Sequence, residues 1–303
     1  MDEKQVNWGI SRVDNTWNKY NMREEYLTRD GKDTGCKSIV KDDANVAILK
    51  EDYKLLPNEE MVAVADDVAT LLGAVPFDKF TGDWFCRTDK HVFLTGENKA
   101  QGHALYSFNQ PVDIGGGDMI NIGFALHNSI DGSMGFSVGT YTFRHQCSNM
   151  VFMGYRGKGM KFDDREVLAH VYKKHSKNLD IDRVALANIV KAVVAKGQDI
   201  LEQYRQWKNE ELKIDIAKRL VKRLPKKYIP EYISVTEAEM LDGTVQTKVE
   251  LLKAPTIWET YNDITQVIWH NSDTQYSSKK GQFDSLHQAL KLKLGGKIEE
   301  ESD

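Results

Sequence analysis

Cysteine is scarce: Cys36, Cys86 and Cys147 are an odd number in 303 residues, with no C-x-x-C spacing. That pattern excludes a zinc ribbon and a disulfide scaffold and leaves reduced thiols, with Cys147 a small buried hydrophobe rather than a nucleophile. Proline is rare too, and Pro225 and Pro230 fall where a helical pattern stops. No apolar run approaches the roughly 20 residues that span a bilayer, and the opening MDEKQVNWGI has neither the basic nor the apolar part of a signal peptide. These absences predict a cytoplasmic protein with no membrane partner. There are no histidines at metal-binding spacing and no G-x-S-x-G elbow, and neither Gly115-Gly116-Gly117 nor Arg156-Gly157-Lys158-Gly159 has Walker spacing. His170 and Glu166, one helical turn apart, read as a surface pair. No metal and no other cofactor is expected.

What is present is an ordinary soluble composition with an uneven charge. The net charge of −4 conceals a stretch, residues 156 to 227, that holds 19 Lys and Arg against 10 Asp and Glu, so the remainder stands at −13. This asymmetry is either the footprint of an anion-binding face or a lysine-rich surface helix.

The chain is organised around residues 118 to 161. Residues 119 to 126 and 136 to 144 alternate large apolar with small or polar side chains, so each predicts a half-buried strand with one wet face. The polar link of residues 128 to 133 predicts the turn of a hairpin. On the second strand, the side carrying Tyr141 and Phe143 is the expected core face. Upstream, residues 58 to 73 predict a helix capped by Asn58 and stopped by Gly73, with Met61, Val64, Ala65, Val68 and Leu72 inward. Residues 83 to 88, 91 to 95 and 103 to 109 read as short antiparallel strands. Downstream, Asp163 and Asp164 predict a helix reaching His175. A longer helical pattern follows from Ile181 to Leu224, with a bend at Gly197 or at residues 208 to 211, and a last helix spans Thr256 to Trp269. Residues 1 to 48 lack sustained periodicity yet hold Trp8, Trp17, Tyr20 and Tyr26, which predicts an arm that docks, on a neighbouring subunit for example. The expected architecture is α+β: an antiparallel β-sheet meander with long helices packed on one face. It forms a single core domain over residues 49 to 275, after the arm and before a C-terminal helix and acidic disordered tail at residues 276 to 303.

Two motifs carry a resemblance. His127-Asn128-Ser129-Ile130-Asp131-Gly132-Ser133, with Arg144-His145-Gln146-Cys147-Ser148-Asn149, resembles the NS-x-DGS turn and R-x-x-C-x-N pattern of a phage- and plasmid-borne family classed as a domain of unknown function. Trp258, Asn262, Thr265 and His270 match that family's W-x-x-x-N-x-x-T-x-x-x-x-H segment, and residues 53 to 58 resemble its weaker upstream motif. Asp263 departs from the pattern, where a small residue is expected. The resemblance implies a mobile-element context and, through a remoter likeness of fold, kinship with single-strand annealing recombination proteins such as phage Red-beta.

Three functions compete. Arg144, Arg156, Lys158 and Lys161 gather at one end of the hairpin with Tyr155 among them, and Lys173 and Lys174 follow, which suits a groove that tracks phosphates and stacks unpaired bases. On this reading the protein binds and anneals single-stranded DNA, or RNA, as a homo-oligomer without being an enzyme. Arg144 could instead be a buried partner of Asp131 or of a helix C-terminus. The alternatives are a non-catalytic accessory protein that acts by protein-protein contact, and an enzyme built on Ser129, Asp131 and Ser133, three residues that more commonly close a turn.

Overall fold

The protein is seen in a computed structural model that describes residues 6–78, 86–89, 91–108, 110–145, 149–153, 172–176, 179–239, 245–270 and 276–291. Residues 8 to 50, most of the expected arm, fold on their own chain as a four-stranded antiparallel meander. Its strands are β1 (Trp8–Asp14), β2 (Met22–Arg29), β3 (Lys32–Lys41) and β4 (Ala44–Lys50). Asp30-Gly31 and Asp42-Asp43 make the tight turns, all four with φ between 49° and 74°. Those are the left-handed values that two-residue hairpin loops require. Register shifts at Ile10/Arg12, Tyr26/Thr28 and Ile39/Val40 interrupt the alternation and hide the strands from a periodicity search. One face buries Met22 and Ile39 with Leu55, Ala100 and Ile130, and takes Trp17 and Tyr20 at its margin. The other leaves Trp8, Ile10 and Ile48 more than half exposed.

The larger sheet has the order β12-β11-β10-β8-β7-β6 and is antiparallel throughout. Its strands are β6 (Cys86–Asp89), β7 (Val92–Thr95), β8 (Gln101–Ser107), β10 (Met119–Ser129), β11 (Phe136–Arg144) and β12 (Asn149–Met153). Short strands β5 (Val75–Pro76), β9 (Val112–Asp113) and β13 (Tyr172–Lys173) add to β8, β10 and β11. The central hairpin is as expected, but neither face of β11 is wet: Phe136 to Phe143 are all buried. Phe124, Leu126, Phe136 and Val138 meet the helices, while Tyr141 and Phe143 pack on Phe77, with ring centroids at 5.4 and 4.9 Å.

Helix α1 (Asn58–Leu72) buries Met61, Val64, Ala65 and Val68 and ends on Gly73 at φ 64°. Its cap is Pro57 rather than Asn58. Asn58 Oδ1 instead accepts from Asn128 Nδ2 at 2.9 Å, which fastens the helix to β10. Helix α2 (Arg183–Asn209) starts on Asp182, whose carboxylate accepts from the Val184 and Ala185 amides at 2.9 and 3.1 Å. It continues through Gly197, where a Cβ would lie 3.1 Å from Ile122, so the glycine permits close helix-to-sheet approach instead of a bend. The chain breaks after Asn209, then forms α3 (Ile214–Arg223), a 3-10 turn at Lys226–Tyr228 and a hairpin of β14 (Ile233–Glu239) with β15 (Val245–Leu251). Helix α4 (Ile257–His270) opens on a capping box: Thr256 N donates to Glu259 Oε2 at 2.7 Å and Glu259 N to Thr256 Oγ1 at 3.1 Å. Helix α5 (Tyr276–Ala289) closes the described core. The helix expected to reach His175 is contradicted at its end, because Tyr172 and Lys173 ladder onto Ser137 and Phe136 as a strand. Its earlier part lies outside the described residues.

Candidate nucleic-acid interface

Arg144, last in β11, reaches back to Asp118 at the start of β10. Its Nε donates to Oδ1 at 2.8 Å and its Nη2 to Oδ2 at 2.9 Å. The same carboxylate accepts from Trp258 Nε1 at 2.9 Å and from Lys208 Nζ at 3.4 Å. Asp118 is only 2% exposed. Burial alone would raise its pKa, but the hydrogen bonds from Arg144 and Trp258 and the charges of Arg144 and Lys208 outweigh it and hold the carboxyl below its ordinary value. The arginine of the first motif and the tryptophan of the second thus meet on one buried anion. This engages Arg144 inside the chain, as the buried-partner reading had it, but on Asp118 rather than on Asp131 or a helix C-terminus.

The other expected contacts do not assemble around it. Lys173 pairs with Phe136 at the opposite end of β11, eight residues or roughly 27 Å from Arg144 at strand rise. Its Nζ donates to the Asp180 carbonyl. Lys174 is exposed. Tyr155, Arg156, Lys158 and Lys161 lie outside the described residues, as do Cys147, Glu166 and His170. The residues that bracket the glycine-rich segment, Met153 and Tyr172, both pair with β11, opposite Thr140 and Ser137.

Among the described residues the cations between 172 and 227 divide in two. Arg183 is paired with Asp67 at 2.5 Å, Arg205 with Glu202 at 2.9 Å, Arg219 with Asp215 at 2.9 Å, and Lys208 with Asp118. Apart from Lys173, Lys174 and residues of α2, the others lie on α3 and its exit. Residues 213 to 227, KIDIAKRLVKRLPKK, hold seven cations and a single acid. Ile216, Ala217, Leu220 and Leu224 are buried, so the opposite side of the helix presents Lys218 and Lys222, neighbours at i,i+4, to solvent. Lys213, Arg223, Lys226 and Lys227 are exposed along the same element, and none of these six has a carboxylate partner among the described residues. Sequence reasoning looked at the glycine-rich loop and passed over this ridge. Its signal was the near absence of acids on one face of an amphipathic helix.

The NS-x-DGS segment closes a turn. Ser129 Oγ donates to the Met134 carbonyl at 2.8 Å and accepts its amide at 2.9 Å, and Ser133 donates to Asp131 Oδ1 from N at 2.9 Å and from Oγ at 2.6 Å. From there hydrogen bonds lead inward: Gln101 Nε2 donates to Ser133 Oγ at 3.0 Å and Thr95 Oγ1 to Gln101 Oε1 at 2.9 Å. His103 Nε2 lies 2.7 Å from Thr95 Oγ1, and its Nδ1 lies 2.8 Å from His127 Nδ1. Because Thr95 already donates outward, His103 carries its proton on Nε2 and takes the Nδ1 proton of His127. The hydroxyls of Ser129 and Ser133 thereby close the turn. In the second motif, Asn262 Nδ2 donates to the Trp258 carbonyl at 2.7 Å and Thr265 Oγ1 to the Asn262 carbonyl at 3.1 Å, both within α4. The unusual Asp263 is accommodated by Tyr232, whose hydroxyl donates to it at 2.9 Å.

Among the described residues no three His, Cys, Asp or Glu side chains converge as a metal site, and no helix is long and apolar enough to cross a membrane. No curated protein and no solved structure matches the chain. A family profile does match, over residues 45–290, from β4 to the end of α5, and so takes in the hairpin, the Asp118 centre, the basic ridge and both motifs. The chain therefore belongs to the family described as Domain of unknown function (DUF932).

Proposed function

We propose that this is a mobile-element protein of phage or plasmid type that holds single-stranded DNA by its backbone and, as a homo-oligomer, promotes strand annealing, in the manner of recombination proteins such as phage Red-beta. The observation that carries the reading is the α3 ridge: six exposed cations over fifteen residues, none held by a carboxylate among the described residues. A row of solvent-facing cations on a helix and its flanks suits phosphates regardless of sequence, and neutralising phosphate charge releases counterions. Annealing then runs downhill without a cofactor, because pairing is favourable once backbone repulsion has been screened.

The test is retention of a labelled single-stranded oligonucleotide across a salt series. Each phosphate contact on a single strand contributes about 0.7 to the slope of log K against log salt, so Lys218→Ala/Lys222→Ala/Lys226→Ala should flatten it by about 2 and lower affinity at low salt. No retention at low salt, or an unchanged slope in the triple variant, refutes the reading. In a second assay, wild type should speed the pairing of complementary strands more than the triple variant does.

One observation favours a second reading, an accessory protein acting by protein-protein contact. The open face of the N-terminal sheet exposes Trp8, Ile10 and Ile48, an apolar surface that water does not favour. Co-purification of a partner that survives nuclease treatment and is lost in Trp8→Ser/Ile10→Ser would support it.

A further inference from the structure

The basic ridge ends beside an aromatic ring that holds a cation of its own. Pro225 stops α3, and Lys226 and Lys227 continue the row of exposed cations. Tyr232 follows five residues after Lys227, within at most about 18 Å of it. Strand β15 packs against α3 and returns the chain to this point, where the Leu252 amide donates to the Tyr232 carbonyl at 2.9 Å. The Lys253 ammonium then stands 4.1 Å from the centroid of the Tyr232 ring. Leu252, Lys253 and Ala254 are all exposed, and Leu252, at 70%, is more exposed than any other large apolar side chain described. The half-buried Tyr232 is anchored from the core side: its hydroxyl donates to Asp263 Oδ2 at 2.9 Å, with Thr260 Oγ1 3.2 Å distant, so α4 fixes the plane of the ring. Tyr228, the other aromatic at the exit of the ridge, is buried and presents no open face.

A fixed aromatic ring, bare leucine methyls and an ammonium on a flexible stem, set at the end of a row of cations, are the parts of a stacking site for an unpaired base. We propose that Tyr232 and Leu252 form a nucleobase platform that continues the α3 ridge, with Lys253 leaving the ring for a phosphate of the strand when a base takes its place. The proposal rests on the nucleic-acid reading of that ridge and adds its substrate class: strands whose bases are free to unstack. The exchange favours the strand, because an exposed cation–π contact is weak, while a phosphate offers the ammonium a charge-assisted hydrogen bond. A duplex keeps its bases stacked inside the helix and gains the ridge contacts alone. Stacking and phosphate contact together thus supply the preference for single strands that a row of cations by itself does not.

The experiment uses the full chain and compares, by fluorescence anisotropy, labelled oligothymidylate with a strand of the same length and charge whose sugars carry no bases. One stacked base is worth about fivefold or more, so wild type should bind oligothymidylate at least about fivefold tighter at low salt, with the same salt slope for both strands. Tyr232→Ala should erase this preference and bind oligothymidylate no better than the abasic strand, whereas Tyr232→Phe, which keeps the ring, should retain it. Leu252→Ser, a change at an exposed position, should lower the preference with the circular dichroism spectrum unaltered. Where Tyr232→Ala fails to fold, ultraviolet cross-linking of wild type to an iodouracil-bearing strand decides the matter: mass spectrometry should find the adduct on Tyr232, and adducts confined to other residues overturn the platform. Equal affinity of wild type for the two strands, with the salt slope of a phosphate-binding protein, also overturns the platform and keeps the ridge. Retention of neither strand at low salt sinks the nucleic-acid reading and takes the platform with it.

Discussion

Replacing Asp118 by asparagine should be among the most damaging isosteric changes in this chain. The substitution keeps volume and removes one charge, yet the carboxylate accepts from four donors: two of Arg144, one of Trp258 and one of Lys208. An asparagine has one accepting oxygen, and its amide would face donors that it cannot satisfy. Removing one partner of a buried pair costs about 3–5 kcal/mol, because the remaining charge stays desolvated. Here the cations retain some solvent, with Arg144 20% and Lys208 24% exposed, so the expected loss is about 3 kcal/mol, the lower end of that range. Urea unfolding followed by far-UV circular dichroism at pH 7 measures it. Adding Arg144→Met should recover part of the loss, since the double variant no longer buries an unmatched guanidinium. The pH dependence has a fixed sign. Asp118 has a depressed pKa in the fold, so its stabilisation is complete above the unfolded value and fades as pH falls through the folded one. The gap between wild type and Asp118→Asn should therefore narrow below about pH 4. A loss under about 1 kcal/mol at pH 7, with no rescue by Arg144→Met, would falsify the idea that this anion holds the two motifs together.

His287 is buried beside Tyr261, and burial pushes its pKa down to about 3. The unfolded chain therefore binds the extra proton first, and stability falls as pH drops from 6.5. By pH 5 the cost reaches about 2 kcal/mol, which His287→Asn should abolish; parallel pH profiles of wild type and variant would contradict this. At Gly123 a Cβ would stand 2.3 Å from Tyr141 Cζ and 2.4 Å from the Tyr106 carbonyl, so Gly123→Ala should cost about 3 kcal/mol or prevent folding; a near-normal urea midpoint would disprove the clash. Glu259→Ala removes half of the α4 capping box and should lower stability by about 1 kcal/mol in the same assay, with ridge-dependent DNA retention unaffected.

How far the sequence revealed this fold depended on whether a signal was local. The central hairpin, α1 with its Gly73 stop, the break after Asn209 and the end of α3 before Pro225 were all legible, because alternation, helical spacing, glycine and proline act within a few residues. The N-terminal meander was not, since its bulges scramble the two-residue period; its Asp30-Gly31 turn was nonetheless a readable hairpin mark. The wet face expected on β11 failed for a tertiary reason, because Phe77 and helices from distant sequence cover both sides. For the candidate site, local reading placed Arg144 beside a loop of like charge. Its partner Asp118 lies 26 residues earlier and the tryptophan that shares that partner lies 114 later, separations at which no periodicity operates. The ridge on α3 was legible by composition and was simply outranked by glycine-flanked cations.

The tie between Asp118 and Trp258 also sets a clock on biogenesis. These residues are 140 positions apart, and a ribosome adds about 5–20 residues per second. For roughly 6 to 23 s after Arg144 is added, then, a nascent chain carries Asp118 and Arg144 while the indole that completes their contact has yet to be synthesised. The hairpin can form early, but its far corner can lock only after nearly the whole polypeptide has emerged, which makes that corner the natural place for a chaperone to grip or a protease to cut.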